Sequence, residues 1–206
     1  MRLATAHPVT AAPRPPVGIV AVALALAVAV ALAGCSATPA PASFDPAASC
    51  TEDARLPGAY PELEAFLPTR LFDAAPDSLD SGRNCTERNL GTLVNHGIAE
   101  LRFAGALWER SESTGVRLAV FAGDGVTAER IGEWYEGSAR STNKTTALRP
   151  SRPTIDGRQA YRLDLLASEQ PQTVVAWPSA DGTRVQVVIA AGVPAAELEA
   201  AIAAFD

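Results

Sequence analysis

Residues 154–190 (TIDGRQAYRLDLLASEQPQTVVAWPSADGTRVQVVIA) carry the pattern that decides the fold. Within them Arg158–Leu166, Gln172–Trp177 and Thr183–Ala190 are short runs rich in β-branched and aromatic residues, bounded by turn formers, which predicts three strands. Asp156-Gly157 and Asp181-Gly182 are dipeptides that favour the tight turns of hairpins. Links this short join strands that run in opposite directions, so the segment reads as antiparallel sheet.

Working outward, Thr146–Arg149 adds a further strand, and Thr127 opens a helix (TAERIGEWYEGSARST) before it. Ala128, Ile131, Tyr135 and Ala139 fall at helical spacing. Glu129 near the start and Arg140 near the end suit the helix dipole. Upstream, Ala99–Phe103 alternates apolar and charged residues and continues toward Trp108, with a bulge expected at Gly105. Val116–Phe121 follows across a Ser-Glu-Ser-Thr-Gly turn, which predicts a hairpin.

Tyr60–Leu67 reads as a short helix with Pro61 near its first position and Leu63, Phe66 and Leu67 on one face. A loop with several Asp follows it. Thr86 is placed to cap a second helix running to about His96, with Gly97 as its terminator. Pro194 starts a last helix whose Leu198, Ala201, Ile202 and Phe205 make an apolar face. The expected order is α-α-β-β-α-β-β-β-β-α. That is an α+β protein in which helices pack on an antiparallel sheet, an α/β/α-type sandwich.

The N-terminal residues are of another kind. Met1–Pro16 carries Arg2 and Arg14 and no acid, Val17–Ala33 is an unbroken apolar run, and Gly34-Cys35 closes it. A basic start, an apolar middle and small residues at the end make the pattern of an export signal. Leu32-Ala33-Gly34-Cys35 resembles the lipobox of bacterial lipoproteins. That resemblance implies cleavage before Cys35, lipidation of its sulfur and attachment to the outer face of the cell membrane. The other reading is an uncleaved anchor, since about 17 apolar residues is the low end of a membrane span. Residues 35–49 then form a lipidated cysteine and an Ala/Pro/Ser-rich tether too poor in large apolar groups to fold. Residues 50–206 are left as one domain.

Charge and cysteine usage bound the function. Without its leader the chain holds 15 basic and 23 acidic residues, a formal −8, which argues against a nucleic-acid partner. With Cys35 assigned to lipid, Cys50 and Cys85 remain as an even pair for an oxidising compartment, and a disulfide is expected between them.

Groups that could carry chemistry are few. His96 is the one histidine outside the leader, at an expected helix end, where it suits a capping role. Ser141-Thr142-Asn143-Lys144 has the Ser-x-x-Lys spacing of penicillin-binding enzymes but ends a helix instead of starting one. Asp77, Asp80, Glu100, Glu109 and Asp164 are the carboxylates that could form a hydrolytic pair, and solvated surface is the plainer account of them. Asp73, Asp77 and Asp80 lack the spacing of a calcium loop. No metal or cofactor is expected. Arg149–Pro153 reads as an extended basic loop.

Aromatic residues supply the candidate binding set. Trp108 and Trp177 stand at expected strand ends and Trp134 at the margin of a helical stripe, places where Trp lines a cleft or a partner surface. Packing at the rim of the core is the alternative. The stretch Pro153–Arg162, followed by hairpins and a terminal helix, resembles the Mog1/PsbP-like fold carried by several actinobacterial lipoproteins. That resemblance implies a non-catalytic binding or assembly protein. The expectation is a membrane-anchored, extracytoplasmic binding domain for an envelope partner. Two alternatives stay open: a carrier or sensor of a small apolar ligand, and a carboxylate hydrolase.

Overall fold

The computed structural model describes residues 45–205. The expectations for the leader, for Cys35 and for the tether up to residue 44 lie outside them. In chain order the elements are β1 (Ala54–Leu56), α1 (Pro61–Glu64), β2 (Ser78–Asn84), α2 (Glu87–Leu90), a 3-10 helix (Gly91–His96), β3 (Leu101–Ser111), β4 (Thr114–Ala122) and α3 (Ala128–Arg140). There follow β5 (Thr145–Ser151), β6 (Thr154–Ile155), β7 (Arg158–Gln159), β8 (Tyr161–Ala167), β9 (Gln170–Pro178), β10 (Val185–Ala191) and α4 (Ala195–Ala203).

Among the described residues eight strands form one antiparallel sheet in the order β1-β2-β3-β4-β10-β9-β8-β5, and β6 and β7 make a separate small hairpin. The central contact joins β4 to the C-terminal β10, with Leu118 opposite Val188. Alternation then divides the sheet. Even-numbered Ala104, Ala106, Trp108, Val116, Leu118 and Val120 point into one core, shared with α1 and α4. Odd-numbered Leu101, Ala119 and Phe121 point into the other, with α2, the 3-10 helix and α3. Helices therefore lie on both faces of an antiparallel sheet.

Several expectations change. The Asp-bearing loop contains β2, so the sheet is two strands wider on its N-terminal side. Ser81 and Arg83 of β2 are buried by polar partners: Ser81 Oγ accepts the Tyr60 N–H and donates to Glu64, and Arg83 donates to the Ala48 carbonyl at 2.6 Å. Arg83 thus holds the last tether residues against the domain. The second helix breaks at Leu90 because Gly91 adopts φ +51°, and a 3-10 turn continues to His96, closed by Gly97 in the left-handed region as expected. Gly105 is no bulge. It sits in regular register between Asp80 and Ala119, and the irregularity falls between Glu109 and Ser111. Phe66 leaves the buried face of α1 and lies half exposed beneath the Arg184 guanidinium, 3.6 Å from the ring centroid.

Arg149–Pro153 is not a loop throughout. Arg149, Pro150 and Ser151 belong to β5, an edge strand where a missing N–H costs no ladder bond. Cys50 and Cys85 are disulfide-bonded, their Cα atoms 5.4 Å apart, as the cysteine count led us to expect. Among the described residues no helix is long and apolar enough to cross a membrane.

Candidate functional site

The odd-numbered face is covered unevenly. Thr127 caps α3 by accepting the Arg130 N–H, and Ile131 of that helix is fully buried. From there α3 lies over β8, β9 and β10. What remains open is the floor over β3 and β4, where strand register sets out the rows. Phe103 pairs with Phe121, Gly105 with Ala119, and Leu107 with Arg117; Arg117 in turn faces Ile189 of β10. Directly opposed residues point to the same side, so these rows tile one surface.

A groove of about 300 Å³ runs along it, with Trp134 and Tyr135 of α3 as one wall and Phe103 and Phe121 in the floor. Three of the rings are in mutual contact, and Phe103 joins them through Phe121. Trp134 and Tyr135 are 5.0 Å apart, and Phe121 meets them edge-on at 5.9 and 6.4 Å. Phe103 lies 6.4 Å from Phe121. The middle row, Gly105 and Ala119, has no side chain beyond Cβ and leaves a shallow depression between larger neighbours. A second depression of about 290 Å³ adjoins it around Leu107, Ile189 and the β3–β4 turn, and Arg117 borders both.

Two arginines reach the groove in different states. Arg55 is 5.8 Å above the Phe103 ring and is committed to Asp80, to which it donates two hydrogen bonds at 2.7 and 2.8 Å. Arg117 makes neither a hydrogen bond nor an ion pair among the described residues. Burial pushes the Tyr135 phenol well above its usual range, and the positive charge of Arg117 offsets part of that rise. The groove therefore offers aromatic surface, a flat floor and one guanidinium with unused donors.

The three tryptophans named from sequence are not brought together. Trp108 and Trp177 are 2% and 0% exposed in the core on the opposite face of the sheet. Trp108 Nε1 donates to the Ala74 carbonyl at 3.1 Å, and Trp177 packs edge-on against Phe205. They are strand residues on the face covered by α1 and α4, Trp108 with Ala104 and Ala106 in β3 and Trp177 with Val175 in β9, so neither lines a cleft. Trp134 alone faces the groove. Phe103, Gly105, Arg117, Phe121 and Tyr135 were not expected from sequence to form a binding site; Gly105 was read as a bulge and Tyr135 as part of an apolar helix stripe. Arg117 had one visible signal, a lone charge inside the apolar run Val116–Phe121.

Most of the other candidates have structural partners. His96 ends the 3-10 helix 3.5 Å from Glu133 of α3. Ser141 follows the last turn of α3 and its hydroxyl donates to the Ser138 carbonyl at 2.7 Å. Asp77 accepts the Glu109 N–H at 2.7 Å, and Asp164 accepts from Arg162 and Thr173. Those bonds hold the Asp164 carboxyl below its usual range although desolvation works against them. Glu100 borders a depression beside Arg102 and Asp124, across the end of β3. No group of three or more His, Cys, Asp or Glu able to hold a metal occurs among the described residues. Comparison with protein-family models, with curated proteins and with solved structures finds no match to this chain.

Proposed function

We propose that this chain is an exported, lipid-anchored protein whose domain is a non-catalytic binding module, with its ligand received in the groove over β3 and β4. One observation carries the binding reading. Arg117 makes no hydrogen bond or ion pair among the described residues and borders a groove lined by a connected cluster of four aromatic rings. The guanidinium is exposed with its donors unused, so a ligand anion can take them in a two-point contact while its apolar part covers the aromatic wall.

The lipobox-like Leu32–Cys35 supports attachment at Cys35, and the Cys50–Cys85 bridge suits an oxidising compartment. Asp80, Asp77 and Asp164 are committed to Arg55, to a backbone amide and to Arg162, and Glu100 and Glu109 line two different depressions, which counts against a convergent hydrolytic pair. The Mog1/PsbP-like resemblance of Pro153–Arg162 belongs to the same proposal, because helices beside an antiparallel sheet suit it.

The test is expression of the full chain in a bacterium, followed by fractionation and native mass spectrometry of the purified protein. The expected result is a membrane-bound, protease-accessible protein whose mature chain begins at Cys35 and carries the mass of a lipid there, and Cys35→Ala should abolish both the cleavage and the lipid mass. The wild type should also carry an adduct that Gly105→Val removes. A wild-type protein that keeps its leader or lacks a lipid mass at Cys35 would sink the anchor, and the lack of any adduct in the wild type would sink the binding reading.

A further inference from the structure

We infer that the groove binds a planar aromatic carboxylate, its ring over Gly105 and Ala119 against Trp134 and Tyr135, its carboxylate on Arg117. This rests on the binding reading above and names the ligand class of that same site.

Shape comes first. A Cβ built on Gly105 would meet nothing closer than the Leu118 carbonyl at 3.7 Å, so there is free space above this strand position. Gly105 and Ala119 sit directly opposite each other, which makes the empty space a flat slot and not a round cavity. Trp134 and Tyr135 border the slot. Rings prefer offset or edge contact with other rings over contact with flexible chains of equal area. The volume, about 300 Å³, is at the small end of ligand sites and suits one or two fused rings.

Charge comes second. Arg55 is already neutralised by Asp80, so the groove presents a single uncommitted cation. One planar guanidinium matches one carboxylate in a two-point contact. Leu107 and Ile189 flank Arg117 across the neighbouring strands, and the guanidinium is exposed, so its donors are open to a ligand from solvent; Glu109 and Glu112 line the far side of the same depression and favour approach of the anion from the Gly105 side. An acyl chain with the same head group would satisfy Arg117 but leave the aromatic wall without a matching surface.

The experiment uses the full-length chain and three probes: 2-naphthoate, the neutral 2-naphthylmethanol, and octanoate. Binding is read by calorimetry and by the emission of Trp134. Naphthoate is expected to bind, with the alcohol and octanoate each weaker by about tenfold or more. Arg117→Met should weaken naphthoate by about 10- to 100-fold, the range for losing a charged hydrogen-bonded contact. Arg117→Lys should recover only part, because an ammonium lacks the two-point fork. Both variants should keep the wild-type Tm, since Arg117 has no partner to lose. Gly105→Val should abolish binding without unfolding, because Val fits the slot and favours a strand.

Equal naphthoate affinity in Arg117→Met overturns the proposal, as does octanoate or the alcohol binding as tightly. If naphthoate fails to bind while a Gly105→Val-sensitive native adduct exists, the ligand class falls and the binding reading stands. If neither is found, both fall.

Discussion

Tyr161 of β8 packs onto α3 at Gly132, so closely that a Cβ on Gly132 would lie 2.0 Å from Tyr161 Cγ. The ring is 1% exposed, its hydroxyl donates to Glu136 one turn further along the helix, and Arg152 sits 3.9 Å from the ring centroid. Burial and the Glu136 bond both push the Tyr161 phenol up, so it stays a donor. This contact sets how far α3 stands from the sheet, and so where Trp134 and Tyr135 overhang the groove.

Gly132→Ala should therefore destabilise the domain by about 1–3 kcal/mol, the usual cost of forcing an extra methyl into a packed site. Gly137→Ala on the same helix is the control. Its Cβ would meet only Thr92 Cγ2, at 3.0 Å, and the roughly 1 kcal/mol helix preference for Ala over Gly offsets that contact. Denaturant midpoints of the two variants should differ in that order. A Gly132→Ala protein as stable as wild type would show that Tyr161 does not fix the position of α3.

Reduction of Cys50–Cys85 should cost about 3–4 kcal/mol on the loop-closure model, given a sequence separation of 35. The segment released is the one Arg83 grips at Ala48 and Ser49, so loss of order should begin there. Hydrogen exchange with and without reductant checks both points. Protection should fall first in residues 48–56, before β8–β10. Uniform loss across the sheet would mean the bridge supports the whole domain and not its N-terminal edge.

Strands β8, β9 and β10 were legible because each buries apolar residues on at least one face and Asp181-Gly182 marks the β9–β10 turn; Arg158 and Gln159, read as the start of one strand to Leu166, instead form β7 of the separate hairpin that turns at Asp156-Gly157. Helices α3 and α4 were legible through their apolar stripes, and Thr127 through its capping chemistry. Strand β2 was not, because Ser81 and Arg83 are buried by hydrogen bonds and its pattern of hydrophobicity is that of a loop. The groove was hidden for a different reason. Gly105, Ala119 and Arg117 become neighbours only through the register of β3 with β4, and Trp134 joins them through the placement of α3. Trp108 and Trp177 looked like candidates because strand ends often face solvent, whereas here the cap formed by α1 and α4 covers them.

Asp53 should make the N-terminal edge sensitive to acid. Desolvation raises its pKa, yet bonds from the Thr86 hydroxyl, the Cys85 and Thr86 amides and Asn89 outweigh it and hold the carboxyl below its usual range. The folded value thus lies under the unfolded one, about 3.9. Its stabilisation is complete above that pH and is lost as pH falls through the folded value. Asp53→Asn should lower stability at pH 7 by about 1–3 kcal/mol, the range for hydrogen bonds to a charged group. It should also flatten the acid limb of the stability curve. A variant with the same acid limb as wild type would remove Asp53 as its source.

Tryptophan emission should separate the groove from the core. Trp108 and Trp177 are 2% and 0% exposed, whereas Trp134 is only half buried and shares the groove with an unpaired guanidinium. Dissolved quenchers should therefore reach Trp134 alone. Iodide should quench it more than caesium, because Arg117 raises the local concentration of anions. The difference should shrink with added salt, whose screening length is about 8 Å at physiological strength. Arg117→Met should remove the iodide preference, and Trp134→Phe should leave emission that neither ion reaches. Equal quenching by the two ions in the wild type would mean that the field of the net negative domain outweighs Arg117 at the groove. A quenchable fraction surviving in Trp134→Phe would mean that the core opens around Trp108 or Trp177.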